Sequence, residues 1–301
     1  MLFDISKAEI EILNDELFTK KQVSFSVLRL DKIHPVVSGN KLFKLRYFLE
    51  EAIASEQKAI LTFGGPWSNH LAATAYACHS VGLKSIGIVR GEEPVSLSFT
   101  LQQCIAYGMQ LKFVPRQVYA LKEDPSFTSS LKKEYGECCI VPEGGYHPTG
   151  AQGAALIMEL ATNKNYSHIC TASGTATTLA GLLTATTAGQ TIVGIPVLKD
   201  MTDTNARIQY LAGEKARGNL QLLNDYHFGG YAKKTPELLR FMNECWIKYH
   251  LPLDFVYTAK MLYGVTDSIR NDRFVKGSDI LCLHTGGLQG NKSLPLNTLL
   301  F

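Results

Sequence analysis

The stretch Ser38-Gly39-Asn40-Lys41-Leu42-Phe43-Lys44-Leu45 joins a turn-forming tripeptide to the start of a predicted helix. Ser38 and Asn40 are residue types that cap helix N-termini, and apolar residues recur behind them at helical spacing as far as Ile53. This pattern places Lys41 in the first turn, where the positive end of the helix dipole helps to lower the pKa of a lysine. A neutral amine can attack a carbonyl group, whereas the simpler alternative is a solvated lysine at a helix end.

The composition is that of an ordinary globular protein. The chain has 301 residues, of which 46% are hydrophobic, so its length predicts one large domain or two intermediate ones. Its 30 basic and 27 acidic residues give a net charge of only +3, which argues against a nucleic-acid partner. No stretch approaches the roughly 18 to 20 apolar residues of a membrane span, and the N-terminus lacks the pattern of a secretory signal. We therefore expect a cytoplasmic protein without a membrane partner.

The cysteines predict reduced thiols. Seven are present, an odd number, and they show neither a Cys-x-x-Cys pair nor the spacing of a Cys/His metal site. Most of them lie in apolar segments. We expect buried free thiols and no metal centre.

Strands alternate with helices along most of the chain, which predicts an α/β fold with open, mostly parallel sheets. The segment before Lys41 combines an amphipathic helix with residues 23–30, whose alternation is typical of a half-buried strand. The longest Gly/Pro-rich break, residues 142–150, indicates a crossing between domains. Further strands are predicted at 59–63, 85–89, 111–114, 139–141, 168–172, 191–198 and 279–283, and helices near 67–81, 98–107, 126–134, 151–162, 179–187 and 236–249.

Four loops lie beside a helix start or at the carboxyl end of a predicted strand, the edge at which open α/β sheets bind ligands. They are the lysine turn, Ser68-Asn69, residues 173–178 and Thr285-Gly286-Gly287. Residues 173–178 form a hydroxyl-rich loop at a helix N-terminus and suit a phosphate monoester, although a loop that merely caps its helix is an equal alternative. Together the loops offer an amine for an aldehyde, donors for a phenolate, an anion cradle and a hydroxyl for a ring nitrogen. This set matches pyridoxal phosphate (PLP).

Four motifs resemble those of the 1-aminocyclopropane-1-carboxylate (ACC) deaminase / D-cysteine desulfhydrase family of PLP enzymes. They are Gly39-Asn40-Lys41 with Lys44-Leu45, Ser68-Asn69-His70, Val256-Tyr257-Thr258-Ala259-Lys260 and His284-Thr285-Gly286-Gly287, in family order. The resemblance implies the tryptophan synthase β-like fold (fold type II), an amino-acid substrate and a homodimer. It also implies that a smaller domain, 48–148, is inserted into a larger PLP-binding domain made of 1–47 and 149–301.

The resemblance implies a role for each site residue. Lys41 would form the Schiff base with PLP and move the substrate proton, and Asn69 would bond the phenolic oxygen of the cofactor. Ser68 would act on the substrate or its carboxylate, and Tyr231 and Tyr257 match the two active-site tyrosines of the family. The cofactor phosphate would be held by the loop of Ser173, Gly174, Thr175, Ala176, Thr177 and Thr178.

The choice of reaction depends on Thr258 and Thr285. ACC deaminases typically carry a glutamate after the second tyrosine and end the last motif as His-Leu-Gly-Gly. A carboxylate keeps the pyridine nitrogen of PLP protonated, whereas a hydroxyl does not supply that charge. The two threonines therefore favour α,β-elimination from a D-amino acid, with D-cysteine giving pyruvate, hydrogen sulfide and ammonia. The alternatives are an ACC deaminase, giving 2-oxobutanoate and ammonia, and a PLP-binding protein without turnover; which threonine faces the ring nitrogen stays open.

Trp67 departs from the family, whose characterised members often carry glutamine before the Ser-Asn pair. The indole would either reshape the substrate pocket or pack into the domain interface. His70 follows Ser68 closely, but a Ser-His hydrolase is disfavoured because the Gly-x-Ser-x-Gly elbow is missing. We expect His284 to be a structural hydrogen-bonding residue, and Tyr146 and His147 either to line the cleft or to be structural.

Overall fold

In the computed structural model, which describes residues 4–162 and 164–301, the strands form two separate sheets. The first strand of the larger sheet runs antiparallel to its neighbour, and all other pairs in both sheets are parallel. The larger sheet contains, in spatial order, Ile10–Ile12 (β1), Ser24–Arg29 (β2), Asp279–His284 (β10), His168–Ser173 (β7), Thr191–Pro196 (β8) and Asn219–Leu222 (β9). The smaller sheet contains Met109–Val114 (β5), Lys84–Arg90 (β4), Ala59–Gly64 (β3) and Cys138–Val141 (β6).

Helices cover both faces of each sheet, because successive strand side chains point to opposite faces. In the larger sheet Ile169 packs towards the lysine helix, while its neighbour Cys170 packs towards the last two helices. The predicted α/β fold with mostly parallel sheets is confirmed. The helices are Glu16–Lys21 (α1), Asn40–Ala54 (α2), Asn69–Ser80 (α3), Phe99–Ala106 (α4), Arg116–Tyr119 (α5), Pro125–Tyr135 (α6), Pro148–Ala155 (α7), Thr177–Ala185 (α8), Thr204–Ala212 (α9), Pro236–Tyr249 (α10) and Thr258–Arg270 (α11).

Helix α2 belongs to a core that reaches both sheets. Phe48 and Leu49 lie in one buried cluster with Ile60 of the smaller sheet and Leu281 of the larger one. The expected boundary between residues 47 and 48 falls inside this helix. We therefore keep the division of the chain into one domain of residues 48–148 and another of the two flanking segments as a proposal.

Several elements differ from the sequence-based prediction. Strand β2 was expected to be half-buried, yet Ser26 is as buried as its apolar neighbours, because a core cluster covers each face of the strand. The helix expected over 151–162 begins at Pro148 and tightens into a 3-10 helix from Leu156. Three short elements, β1, α5 and β9, were not predicted.

The thiols agree with the prediction. All seven cysteines are free, and all but Cys139 are fully buried. Within the described part of the chain, no helix combines the length and the apolar character needed to cross a bilayer.

Candidate active site

Lys41 is the second residue of α2 and is held by its own neighbour. The Lys41 Nζ donates to Asn40 Oδ1 at 2.9 Å, and Asn40 Nδ2 donates to Thr178 Oγ1 at 2.9 Å. Asn40 was predicted to cap the helix, but the N-cap is Gly39 and no side chain caps this end. The amide instead joins the lysine to the first turn of α8.

The amine of Lys41 has a lowered pKa. Desolvation lowers the pKa to about 8, and the negative charge of Asp254 acts in the opposite direction. The Nζ lies 5.8 Å from the ring centroid of Tyr257. Burial is thus the main cause of the shift, where the sequence had suggested the helix dipole, and the neutral fraction near neutral pH is larger than that of an ordinary lysine.

The start of α2 lies directly against the Thr285-Gly286-Gly287 turn. A Cβ on Gly39, whose φ is 66°, would fall 1.8 Å from the carbonyl oxygen of Thr285, and one on Gly286 would fall 2.4 Å from Ser38 Oγ. Neither contact is possible for a larger residue, so these two glycines allow the backbones to meet. Two of the four predicted loops are therefore in contact.

The Ser68-Asn69 turn begins α3 and reaches the same place. Ser68 is the N-cap, because its Oγ accepts from the Leu71 backbone N–H at 3.3 Å. Asn69 Nδ2 donates to the carbonyl oxygen of Gly287 at 3.4 Å, while the buried Asn69 Oδ1 finds no partner among the described residues. This side chain thus connects the smaller sheet to the turn beside Lys41.

Residues 173–178 form an open cradle at the N-terminus of α8. Ala176 is the N-cap with a left-handed φ of 62°, and no side chain caps the helix. The Ser173 hydroxyl is buried and lacks a partner within the described residues. Free helical N–H groups, hydroxyls and the helix dipole converge here, which suits an anion.

Lys44 places a second amine beside this cradle. Its Nζ donates to the carbonyl oxygen of Gly144 at 3.3 Å, and a Cβ on Gly144 would fall 3.2 Å from Thr175 Cγ2. Burial lowers the pKa of Lys44 well below its usual value, and the charge of Lys41 acts in the same direction. A bound anion would offset both effects.

The two tyrosines meet at the mouth of the site. Tyr257 Oη donates to Tyr231 Oη at 3.2 Å, and the rings meet edge to face with centroids 6.0 Å apart. Burial raises the pKa of both phenols, so both keep their protons near neutral pH. Because Tyr257 donates within the pair, the proton of Tyr231 is left for another acceptor.

The two threonines have different environments. Thr258 is fully buried; its hydroxyl donates to Asp254 Oδ2 at 2.7 Å and accepts from the Asp254 backbone N–H at 2.8 Å. The carboxylate of Asp254 also accepts from the backbone N–H groups of Val256, Tyr257 and Thr258, which fixes the start of α11. The Thr285 hydroxyl has no such partner among the residues described, so its proton is free.

The histidines are structural. His70 is bonded to Thr62 and not to Ser68, and burial lowers its pKa to about 3, so it is neutral. His284 contacts the carbonyl oxygen of Pro252 at 2.6 Å and Asp31 at 3.1 Å. His147 caps α7 by accepting from the Thr149 backbone N–H. None of these rings lies free in the cleft.

Trp67 is not enclosed in a domain interface. Its indole is 37% exposed on the turn that carries Ser68. Tyr146 packs with Tyr210 and Arg207 rather than with Tyr231 and Tyr257.

Sequence reasoning missed the contributions of Asn40, Asp254 and Lys260. Asn40 was interpreted only as a cap. Asp254 stands in the apolar run Leu253-Asp254-Phe255-Val256, and a carboxylate in such a run indicates buried donors nearby. Lys260 is entirely buried on α11.

Comparison with known proteins identifies the class to which this fold and site belong. The model of the pyridoxal-phosphate dependent enzyme family matches residues 15–286, and the chain belongs to that family. A crystal structure described as that of an ACC deaminase homologue has a TM-score of 0.83 and 26% identity, over 97% of this chain and 92% of that chain. The tryptophan synthase β-like fold and the PLP cofactor are confirmed.

Two relatives within this family have names that describe a more specific activity. A protein of Pyrococcus horikoshii, provisionally named a 1-aminocyclopropane-1-carboxylate deaminase, is 30% identical over 84% of this chain and 81% of its own. A mitochondrial protein of Arabidopsis thaliana, named a bifunctional D-cysteine desulfhydrase/1-aminocyclopropane-1-carboxylate deaminase, is 27% identical over 84% of this chain and 70% of its own.

The described residues fit PLP. An amine of lowered pKa, a half-satisfied amide at Asn69, an uncapped helix start with the orphaned Ser173 hydroxyl, and a free hydroxyl at Thr285 converge on one cleft. These groups match the aldehyde, the phenolic oxygen, the phosphate and the ring nitrogen of the cofactor in kind. Two of them, Asn69 Oδ1 and the Ser173 hydroxyl, are buried without a partner among the described residues, and a bound cofactor would pair them.

Proposed function

We propose that the protein catalyses PLP-dependent α,β-elimination from a D-amino acid, with D-cysteine giving pyruvate, hydrogen sulfide and ammonia. One observation carries the choice of reaction. The buried carboxylate of Asp254 is occupied by the start of α11, whereas the Thr285 hydroxyl has no partner among the described residues. A hydroxyl does not keep a pyridine nitrogen protonated as a carboxylate does, which suits a substrate with a good leaving group.

We assign the binding groups as follows. Lys41 would hold the cofactor covalently, Asn69 its phenolic oxygen and Thr285 its ring nitrogen. The phosphate would lie at the start of α8 on Ser173, Gly174, Thr175, Ala176 and Thr177. Thr178 would be bound by Asn40, and Lys44 would lie nearby, its charged form favoured by the phosphate. Thr258 would support the site through Asp254 and not touch the ring.

In the reaction, Lys41 would act as the base. When bound, PLP supplies the electron sink that makes the hydrogen on the substrate α-carbon acidic. The neutral Nζ of Lys41, beside Tyr257, would accept this α-proton. Ser68 would hold the substrate carboxylate, because its hydroxyl proton is still available after capping α3.

The tyrosine pair would deliver a proton to the leaving group. The raised pKa of each phenol keeps it protonated, and the direction of the bond between them leaves the Tyr231 proton free. With Tyr231 46% exposed at the cleft mouth, its hydroxyl can reach an incoming substrate. We propose that Tyr231 protonates the departing thiolate and that Tyr257 holds Tyr231 in place.

ACC deaminase is the second candidate, and the names of the Pyrococcus and Arabidopsis relatives support it. Water and ACC would then give 2-oxobutanoate and ammonia. A PLP-binding protein without turnover is the third.

A panel of D- and L-amino acids together with ACC, assayed for keto acid and sulfide, tests the three candidates. We expect pyruvate and sulfide from D-cysteine at a higher kcat/KM than 2-oxobutanoate from ACC. A higher kcat/KM for ACC would favour the deaminase, and bound PLP without any keto acid would favour the protein without turnover.

Lys41→Ala tests the assignment of the lysine. The variant should lose the visible absorbance of the covalently bound cofactor and at least about 1,000-fold in kcat, because it removes both the attachment point and the base. Lys58→Ala, at an exposed lysine, is the matched control and should keep both. An unchanged spectrum in Lys41→Ala would contradict the assignment.

We further propose a cytoplasmic homodimer. Seven free cysteines support a reducing compartment, and the homodimer follows from the family resemblance. Light scattering of the purified protein at several concentrations measures the oligomeric state, and a monomer throughout would contradict the homodimer.

A further inference from the structure

The loop that carries Tyr231 has an irregular backbone that needs support. Phe228, Gly229, Gly230 and Ala232 all have positive φ, at 51°, 89°, 115° and 55°. For the two residues with side chains this conformation is unfavourable. Residues 226–233 therefore keep this shape only where other contacts impose it.

Two carbonyl groups close the turns of this loop. The Gly230 N–H donates to the carbonyl oxygen of His227 at 3.0 Å, and the Lys233 N–H donates to that of Gly230 at 3.1 Å. The two turns cover residues 227–230 and 230–233, and Tyr231 lies in the second of them. The placement of its hydroxyl thus depends on the same two carbonyl groups.

Lys260 binds both of these carbonyl groups. Its Nζ donates to the His227 oxygen at 2.8 Å and to the Gly230 oxygen at 2.7 Å, and the side chain is fully buried. Within the residues described, no carboxylate lies within ion-pair distance of this ammonium. Lys260 also lies three residues after Tyr257, in the first turn of α11.

We propose that Lys260 is a positioning residue that sets the Tyr231 hydroxyl against Tyr257. One helical turn then fixes both tyrosines: Tyr257 directly, and Tyr231 through the two carbonyl groups. This inference rests on the proposed elimination, in which Tyr231 is the acid. It assigns to Lys260 a role that requires no contact with substrate or cofactor.

The energetics explain why a lysine is needed at this position. Burial lowers the pKa of Lys260 to about 8, so the charged side chain is costly where it lies, although Asp254 acts in the opposite direction. A methionine would fill a similar volume without that cost. The lysine contributes what methionine lacks, namely N–H donors for two carbonyl groups at once.

A double-mutant cycle separates positioning from general stability. Lys260→Met should lower kcat by about 100-fold with less than about a threefold change in KM, since a misplacement of about 1 Å has an effect of this size. In the Tyr231→Phe background the same substitution should add no more than about twofold, because the hydroxyl to be positioned is gone. Equal losses in both backgrounds, or an unchanged kcat in Lys260→Met, would overturn the inference. Lys233→Met, an exposed lysine of the same loop, is the matched control and should change kcat by less than about twofold.

Hydrogen exchange gives a readout that needs no turnover. In Lys260→Met, amide exchange of residues 226–233 should be at least about 10-fold faster than in the wild type, whereas Lys233→Met should leave it unchanged. Unchanged exchange in Lys260→Met would overturn the inference even if no amino acid is turned over. If the wild type releases no keto acid while amide exchange in Lys260→Met rises as expected, the proposed function fails, but the support of this loop by Lys260 is upheld. Lys260→Gln, which keeps an N–H2 group, is measured in the same way should Lys260→Met not fold.

Discussion

Lys41 is oriented by contacts within the chain. Its amine is bound to the neighbouring side chain of Asn40, which in turn binds Thr178 at the start of α8. A reactive group held by its supporting contacts loses less freedom when it reacts. The chain thereby links the point of covalent attachment to the proposed phosphate cradle through a single amide.

The lowered pKa of Lys41 predicts how PLP attachment depends on pH. Below its pKa of about 8 the lysine is mainly protonated and cannot attack an aldehyde, and above that pH it is mainly neutral. The rate of attachment to apoprotein should therefore rise with pH and level off above about pH 8. Stopped-flow absorbance after mixing with PLP measures this rate. A rate that keeps rising towards about pH 10.4 would indicate an ordinary solvated lysine.

The two threonines should respond differently to the loss of a hydroxyl. Thr285→Val should lower kcat by about 10-fold to 100-fold without a large change in stability, because its hydroxyl is free for the ring nitrogen. Thr258→Val should lower the free energy of unfolding by about 1 to 3 kcal/mol, because it removes the hydroxyl bond to Asp254 Oδ2 and leaves the buried Asp254 backbone N–H without its acceptor. Steady-state kinetics and denaturant unfolding of both variants test this, each serving as the control for the other. The reverse result would place Thr258 at the ring.

At this scale the sequence predicts the reactive groups better than their supports. The loops that carry Lys41, Asn69 and Ser173 were predicted because turn and helix-start patterns are local, and the roles of these residues stay predictions. Asn40 and Asp254 were missed because their partners lie far along the chain or depend on side-chain rotamers. Thr258 and Thr285 could not be told apart, since only the buried contact with Asp254 separates them.

At the scale of elements, the contact between the start of α2 and the Thr285 turn is the tightest in the site. Gly39→Ala should lower the free energy of unfolding by more than about 2 kcal/mol, because the new methyl group would overlap the Thr285 carbonyl oxygen as well as adopt a left-handed φ. Gly82→Ala is the matched control: its φ is 73° but its surroundings are open, so it should lose only about 1 kcal/mol. Denaturant unfolding measures both. Equal losses of unfolding free energy in the two variants would mean that the close approach between Gly39 and the Thr285 carbonyl group adds nothing to the effect.

The elements that sequence patterns missed are short or at sheet edges. Strands β1 and β9 are edge strands of three and four residues, too short to show a period. Strand β2 was predicted to be half-buried because serines alternate with apolar residues in its sequence. In the tertiary structure, however, both of its faces are covered. The longer helices were predicted because their apolar spacing and caps lie within one segment.

At the scale of the whole molecule, PLP would connect the two sheets. Asn69 belongs to the helix after β3 of the smaller sheet, whereas the other proposed cofactor contacts belong to α2 and the larger sheet. Removing PLP should therefore destabilise the fold. At a cofactor concentration about 100 times Kd the loss is about 2.7 kcal/mol, or roughly 5 °C in Tm.

Calorimetry of holoprotein and apoprotein measures the difference. Lys41→Ala with added PLP should show a smaller increase, because the covalent attachment is missing. An identical Tm for holoprotein and apoprotein would contradict the bridging role.

The shared core around α2 has a mechanical consequence. Because Phe48 and Leu49 pack with side chains of both sheets, a rotation of one sheet against the other would displace this helix least. Lys41 lies at the start of α2 and would therefore move little. Asn69 is joined to Gly287 by one long hydrogen bond and would move away from the larger sheet. Opening the cleft would thus release the ring side of the cofactor while its covalent anchor stays still.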